Sequence, residues 1–149
     1  MAIARGAGTE IIRSAMFNNV TNSACVLISG EVHHIYTVLS IVVCCVSVAA
    51  DGNYIHCYVQ GYDSLGGTIN STQHLFYQDM SQYQTFVWND KFSFTGFQSA
   101  DVTAGLGTDG TKQNALADQA GAAQQYLAVN TEGADNMDVF VTFIDQNNA

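Results

Sequence analysis

From Ile35 to Ala50 the chain is nearly all apolar, and this run restricts the fold more than any other feature. It is too short to cross a bilayer comfortably, which takes about 20 apolar residues as a helix, and it lacks flanking positive charge. Val and Ile dominate it, and the turn signal Asp51-Gly52 follows. A buried strand, apolar on both faces, is the reading that fits. Such a strand belongs in the middle of a sheet, with a loop or a neighbouring subunit covering its outer side.

The rest of the chain has the same character. There are no prolines, so turns fall to Gly, Asn, Asp and Ser. Asp51-Gly52 predicts a two-residue hairpin between Ile35–Ala49 and Asn53–Tyr62, with Cys44 facing Val59. In the second of these runs Ile55, Cys57 and Val59 share one face, and Tyr54, His56, Tyr58, Gln60 and Tyr62 share the other. Further strands are expected at Ala24–Ser29, Gln73–Gln78, Gln84–Asn89, Phe92–Phe97, Gln125–Asn130 and Asp138–Asp145, with Asn89-Asp90 as a second tight turn. In the last strand Val139, Val141 and Phe143 alternate with Phe140, Thr142 and Ile144. Many short strands with regular turn signals predict an all-β, single-domain β-sandwich, jelly-roll-like in topology.

Two stretches depart from this pattern. Residues 1–22 set a small apolar cluster among Gly and Asn and read as an extended N-terminal arm with room for one strand, leaving 23–149 as the sandwich. Residues 99–123 are rich in Gly, Ala, Asp, Thr and Gln and read as a long loop, with a helical turn or two at Lys112–Gln119.

Charge narrows the function. Only 11% of the 149 residues are charged, about half the share usual in soluble domains. The missing charges are mostly Lys and Arg, which interface cores also lack. The four cations are Arg5, Arg13, Lys91 and Lys112, and the net charge is -9. Phosphate binding needs clustered cations, so nucleic acid and anionic membrane surfaces are excluded as partners. Glu10 and Arg13 interrupt the N-terminal apolar residues, so no signal peptide is expected, and synthesis and assembly are placed in the cytoplasm.

No constellation nominates an enzyme. There is no GxSxG, P-loop or GxGxxG motif. The late acids Asp101, Asp109, Asp118, Glu132, Asp135, Asp138 and Asp145 sit beside Gly and Asn and read as solvated turn carboxylates rather than a glycosidase pair. Asp109-Gly110 lacks the dense oxygen alternation of a calcium loop. His33-His34 would point to opposite faces of a strand, and a metal site with His56 or His74 matches no ligand spacing. Cys25, Cys44, Cys45 and Cys57 read as small buried hydrophobes. No cofactor or metal is expected. Trp88 and the tyrosines could stack on sugars, but core and interface packing is the plainer role for the aromatics.

Four segments carry a resemblance: AIARGAGTEIIRSAMF (2–17), HHIYTVLSIVVCCVS (33–47), TFVWNDKFSF (85–94) and DVFVTFIDQNN (138–148). Together they resemble small virion structural proteins of tailed bacteriophages, including those of cyanophage type. The resemblance implies a β-sandwich subunit of the virion, a head decoration (cement) protein first, or a tail-associated or receptor- and carbohydrate-binding module. It supplies no catalytic residue. It implies the major capsid protein or other virion proteins as partners, and a homo-oligomer, trimer before dimer. In such a subunit the arm would contact a neighbour through Ile3, Arg5, Ile11, Ile12, Arg13, Met16 and Phe17, and an aromatic face would be built from Tyr54, Tyr58, Tyr62 and Trp88.

Overall fold

The computed structural model describes residues 8–48, 53–63, 65, 68–99 and 122–147. They form eleven strands and, among the described residues, no helix: β1 (Thr9–Val20), β2 (Cys25–Ser29), β3 (His34–Ser47), β4 (Tyr54–Asp63), β5 (Thr68–Asp79), β6 (Thr85–Trp88), β7 (Phe92–Thr95), β8 (Phe97–Ser99), β9 (Ala122–Gln124), β10 (Tyr126–Thr131) and β11 (Asn136–Asn147).

The strands make two facing sheets. The first has the order β1-β11-β3-β6, with β7 also pairing β3; the second has the order β2-β10-β4-β5; β8 and β9 form a small separate ladder. Every pairing is antiparallel. The ladders β1·β11, β2·β10, β3·β6/β7 and β4·β5 are the rungs of one long hairpin. Rolled up, it joins β11 to β3 and β10 to β4. This is a jelly roll, as the strand pattern predicted.

The period-2 alternation places the core. Val38, Ile41, Val43 and Cys45 of β3 and Met137, Val139 and Val141 of β11 face Ile55 and Cys57 of β4 and Leu127 and Val129 of β10, all of them buried. Burying each Val, Ile or Leu contributes about 1.5–3 kcal/mol. Phe76 of β5 meets Phe86 and Trp88 of β6 and closes the gap between the sheets at one margin.

Two expectations need correction. β3 does not form a hairpin with β4: Cys44 lies opposite Asp138 and Thr85, while Val59 lies opposite Leu127 and Gln73. In this jelly roll β3 and β4 go to opposite sheets, so the long apolar strand takes its partners from far along the chain. The turn residues 49–52 themselves lie outside the described residues. Asn89-Asp90 is not a hairpin turn either; β6 pairs with Ile41–Cys44 and β7 with Ile35–Val38, so the two are successive pieces of one edge strand. The stretch read as an arm with room for one strand holds that strand at Thr9–Val20, the other edge of the first sheet, paired with β11 from Thr9↔Asn147 to Val20↔Met137. Alternation explains it: Ala15 and Phe17 pack on the core while Ile12 and Met16 face out. Residues 1–7 and the loop 100–121 are outside the described residues, and with them the expected helical turn.

Candidate functional site

The outer face of the first sheet is built from rows that cross all four strands. Met16, Phe140, Val42 and Val87 form one row. Ile12, Ile144, Thr37 and Ser93 form another, and Ser14, Thr142 and Ser40 lie between them. Most of the apolar members are open to solvent: Ile12 is 70% exposed, Met16 67% and Val87 51%, while Val42 and Ile144 are half-buried. The hydroxyls satisfy one another, Thr37 with Ser93 at 2.8 Å and Ser14 with Thr142 at 3.4 Å. Among the described residues the register puts two charged side chains on this face, Glu10 and Asp138, toward opposite ends. Asp138 is occupied, accepting the backbone N–H of Asn19 at 3.0 Å. Scattered apolar residues are ordinary on a surface; a contiguous, nearly uncharged apolar band is the signature of an interaction face.

The band is continuous with β1, an edge strand that among the described residues pairs with β11 alone and so presents backbone groups suited to strand addition. Of the expected arm contacts, the structure puts Ile12 and Met16 on the band. Phe17 is turned inward, Ile11 is half-buried, and Arg13 is tied to Asp145. Ile3 and Arg5 are outside the described residues.

The expected aromatic face divides. Tyr54 and Tyr58 do lie together on the outer side of the second sheet, in a cluster with His56, His74 and Tyr77 that the sequence did not assemble. The His56 and Tyr77 rings stack at 4.1 Å with 2° between their planes. His56 Nε2 and His74 Nδ1 are 2.7 Å apart. Burial, then the neighbouring His74, hold the His56 imidazole below its ordinary range, while the Asn130 side chain acts the other way. Tyr58 is pushed up, chiefly by burial. Tyr62 sits farther along β4, in a polar cleft of about 290 Å³ lined also by Asp63, Gln73, Gln98 and Gln125. Trp88 belongs to neither place. It lies in the first sheet, opposite Ile41, and stacks inward on Phe76 at 5.1 Å. Which face of which sheet a residue joins depends on register that strand patterns do not carry.

The histidines and acids also depart from expectation. His33 is in a turn with φ of 65°, and His34 opens β3. His34 Nδ1 is 2.6 Å from Asp145 Oδ1, its Nε2 is 3.5 Å from Glu31 Oε2, and Arg13 Nε is 2.9 Å from Asp145 Oδ2. Both imidazole nitrogens thus face carboxylates, an arrangement that anchors strands rather than one that leaves a base free. Asp145 and Asp135 are buried, not solvated turn acids; Thr131 Oγ1 donates to the Asp135 carbonyl at 3.2 Å. Glu132 is exposed as expected, and Asp101, Asp109 and Asp118 are outside the described residues. Cys45 and Cys57 are buried, Cys25 and Cys44 half-buried, and all four are free thiols. The Cys57 thiol is pushed up to about 12, first by burial.

No family model and no curated protein matches the sequence. Among solved structures the chain is similar to a subunit of the Bacillus endospore appendages, disulfide-linked pili, with 10% identity and a TM-score of 0.41 over 100% of this chain and 97% of that one. It is also similar to a chain of the T13 IBDV viral particle, with 9% identity and a TM-score of 0.40 over 99% of this chain and 37% of that one. A chain of infectious bursal disease virus, Gx strain, gives 5% identity and a TM-score of 0.37 over 95% of this chain and 37% of that one. These likenesses are remote and concern fold alone.

Proposed function

We propose that the chain is a non-enzymatic structural subunit that assembles with further copies of itself through the outer face of its first sheet and the free edge of β1. The observation that carries this is the row Met16, Phe140, Val42 and Val87, apolar across β1, β11, β3 and β6, with Met16, Phe140 and Val87 exposed and Val42 half-buried between them. With strands about 4.8 Å apart and about 3.3 Å per residue, a four-strand face of this length covers on the order of 700 Å², close to the roughly 800 Å² each partner buries in a standard interface. The sparse charge of the chain supports the same reading, since little of its surface resists being covered.

Within that role, the resemblance of its segments to phage virion proteins favours a head decoration protein, assembled in the host cytoplasm and carried on the virion against the major capsid protein. A trimer fits this reading before a dimer. The test is cosedimentation with tailed-phage heads. The wild-type chain is expected to pellet with them, and a Met16→Lys/Phe140→Glu variant with unchanged far-UV circular dichroism is expected to stay in solution. Equal attachment of both proteins would contradict the proposal.

A second reading, a tail-associated or glycan-binding virion module, draws on one specific feature, the exposed Tyr77 within the tyrosine and histidine cluster of the second sheet. Glycan-array binding lost in Tyr77→Ala would favour it over the decoration role.

A further inference from the structure

The cluster on the second sheet has a chemistry that an assembly role does not use. His56 of β4 and His74 of β5 are not direct cross-strand partners; His56 lies opposite Tyr77 and His74 opposite Tyr58. They meet because the register shifts between Cys57↔Phe76 and Tyr58↔His74, which leaves Leu75 as an extra residue and moves His74 along the strand. His56 Nε2 and His74 Nδ1 are then 2.7 Å apart, with Tyr77 Oη at 3.3 Å from the same His74 nitrogen.

The pair is also held in place. The His56 ring lies between Tyr77, at 4.1 Å, and Tyr58, at 4.8 Å. Opposite His56 on β10 is Asn130, whose Oδ1 is buried and makes no hydrogen bond of good geometry although it faces the His56 ring. The Asn130 side chain acts on the His56 ring and so helps to fix its orientation beside His74. His74 is exposed, so water can complete a coordination shell.

We propose that His56 and His74 form a two-histidine site for a divalent transition-metal ion of the nickel and copper type. Two nitrogens each about 2.0–2.1 Å from an ion lie about 2.9 Å apart at a right angle and about 3.3 Å apart at the tetrahedral angle. The 2.7 Å separation is that of a hydrogen bond between the rings, so an ion parts them, and by less at the right angle of tetragonal Ni²⁺ and Cu²⁺ than at the tetrahedral angle of Zn²⁺. Imidazole suits these ions, and only neutral imidazoles can bind them. The hydrogen bond between the two rings is replaced by bonds from both to the ion. The ring that donates in the free pair shifts its proton to its other nitrogen, leaving both facing nitrogens unprotonated, so no net proton is released. The open positions go to water, with Asn130 Oδ1 and Tyr77 Oη within the surrounding shell.

Ni²⁺ is the probe of choice because it does not oxidise the four free thiols. Isothermal titration of the full chain with NiCl₂ at neutral pH is expected to show one saturable site. Binding should weaken at least about 10-fold in His74→Gln and in His56→Gln and stay unchanged in His33→Gln. Ni²⁺ should also raise the thermal midpoint of the wild-type chain and not that of His74→Gln. Absence of saturable binding by the wild-type chain, or binding by His56→Gln or His74→Gln as tight as that of the wild type, would overturn the proposal.

Discussion

Arg13 near the start of the chain and Asp145 near its end are joined at 2.9 Å between Nε and Oδ2, across 132 positions of sequence. A residue of the expected arm is the clasp of an edge strand. Asp145 is almost fully buried and also receives His34, so one carboxylate links β1, β11 and β3. Removing it strands two cationic or polar partners. Asp145→Ala should lower unfolding stability by about 2–3 kcal/mol, and Arg13→Gln by about 1 kcal/mol, because Arg13 is half exposed and His34 remains. Urea unfolding of the two variants checks the order; an Arg13→Gln loss as large as that of Asp145→Ala would contradict it.

Gly30 and Gly96 meet where the chain ends of the two sheets cross. Gly96 donates its N–H to the His34 carbonyl at 2.8 Å and accepts from Gln125 at 2.9 Å, and Gly30 donates to the Gln125 carbonyl at 3.0 Å. A Cβ on Gly96 would run into the backbone of Glu31, and one on Gly30 into the backbone of Gly96. Backbone cannot swing aside as a side chain can. Gly96→Ala should therefore cost about 3 kcal/mol or more, at the upper end for overpacking. Soluble expression and the thermal midpoint report it.

His56 gives the fold a pH dependence of definite sign. Burial and His74 favour its neutral form in the folded chain, facing Tyr58, Tyr77 and the Asn130 side chain. The unfolded chain takes up the proton first as pH falls. The contribution is therefore fully present above about pH 6.5, the unfolded imidazole value, and is lost as pH falls through the lower folded value. Between about pH 7.5 and 5.5 the urea midpoint of the wild-type chain should fall further than that of His56→Gln. Parallel profiles would contradict this.

The cysteines should sort by position. Cys57, buried and with its thiol pushed up to about 12, and Cys45, also raised, should resist maleimide in the native chain and react only on unfolding. Cys44 lies on the outer face of the first sheet, beside Asp138 and Thr85. Its labelling should slow as protein concentration rises and the face is covered. Mass spectrometry after timed labelling reads both effects.

Much of the sandwich was legible because alternation is a local signal. Val139, Val141 and Phe143 share one face as their spacing predicted, and it is the inward one, and the doubly apolar β3 does lie mid-sheet, between β11 and β6. Partner choice was not legible. Asp51-Gly52 looks like a hairpin because such dipeptides suit tight turns, but whether the chain returns in the same sheet is decided by which long-range pairing buries most apolar surface. The same limit hid the band on the first sheet, since Met16 and Phe140 become neighbours only through the β1·β11 register. His56 and His74 converge through a bulge at Leu75 that no residue type announces. Trp88 was misplaced for the same reason: its inward direction follows from pairing with Ile41.

The claim on which the account rests is that copies of this chain cover the outer face of the first sheet. Sedimentation velocity of the purified protein tests it most directly. The account predicts an assembly of several 16.0 kDa chains, a trimer first, that falls to 16.0 kDa in the Met16→Lys/Phe140→Glu variant. A wild-type chain that stays at 16.0 kDa at tens of micromolar, or a variant that assembles as well as wild type, would contradict it.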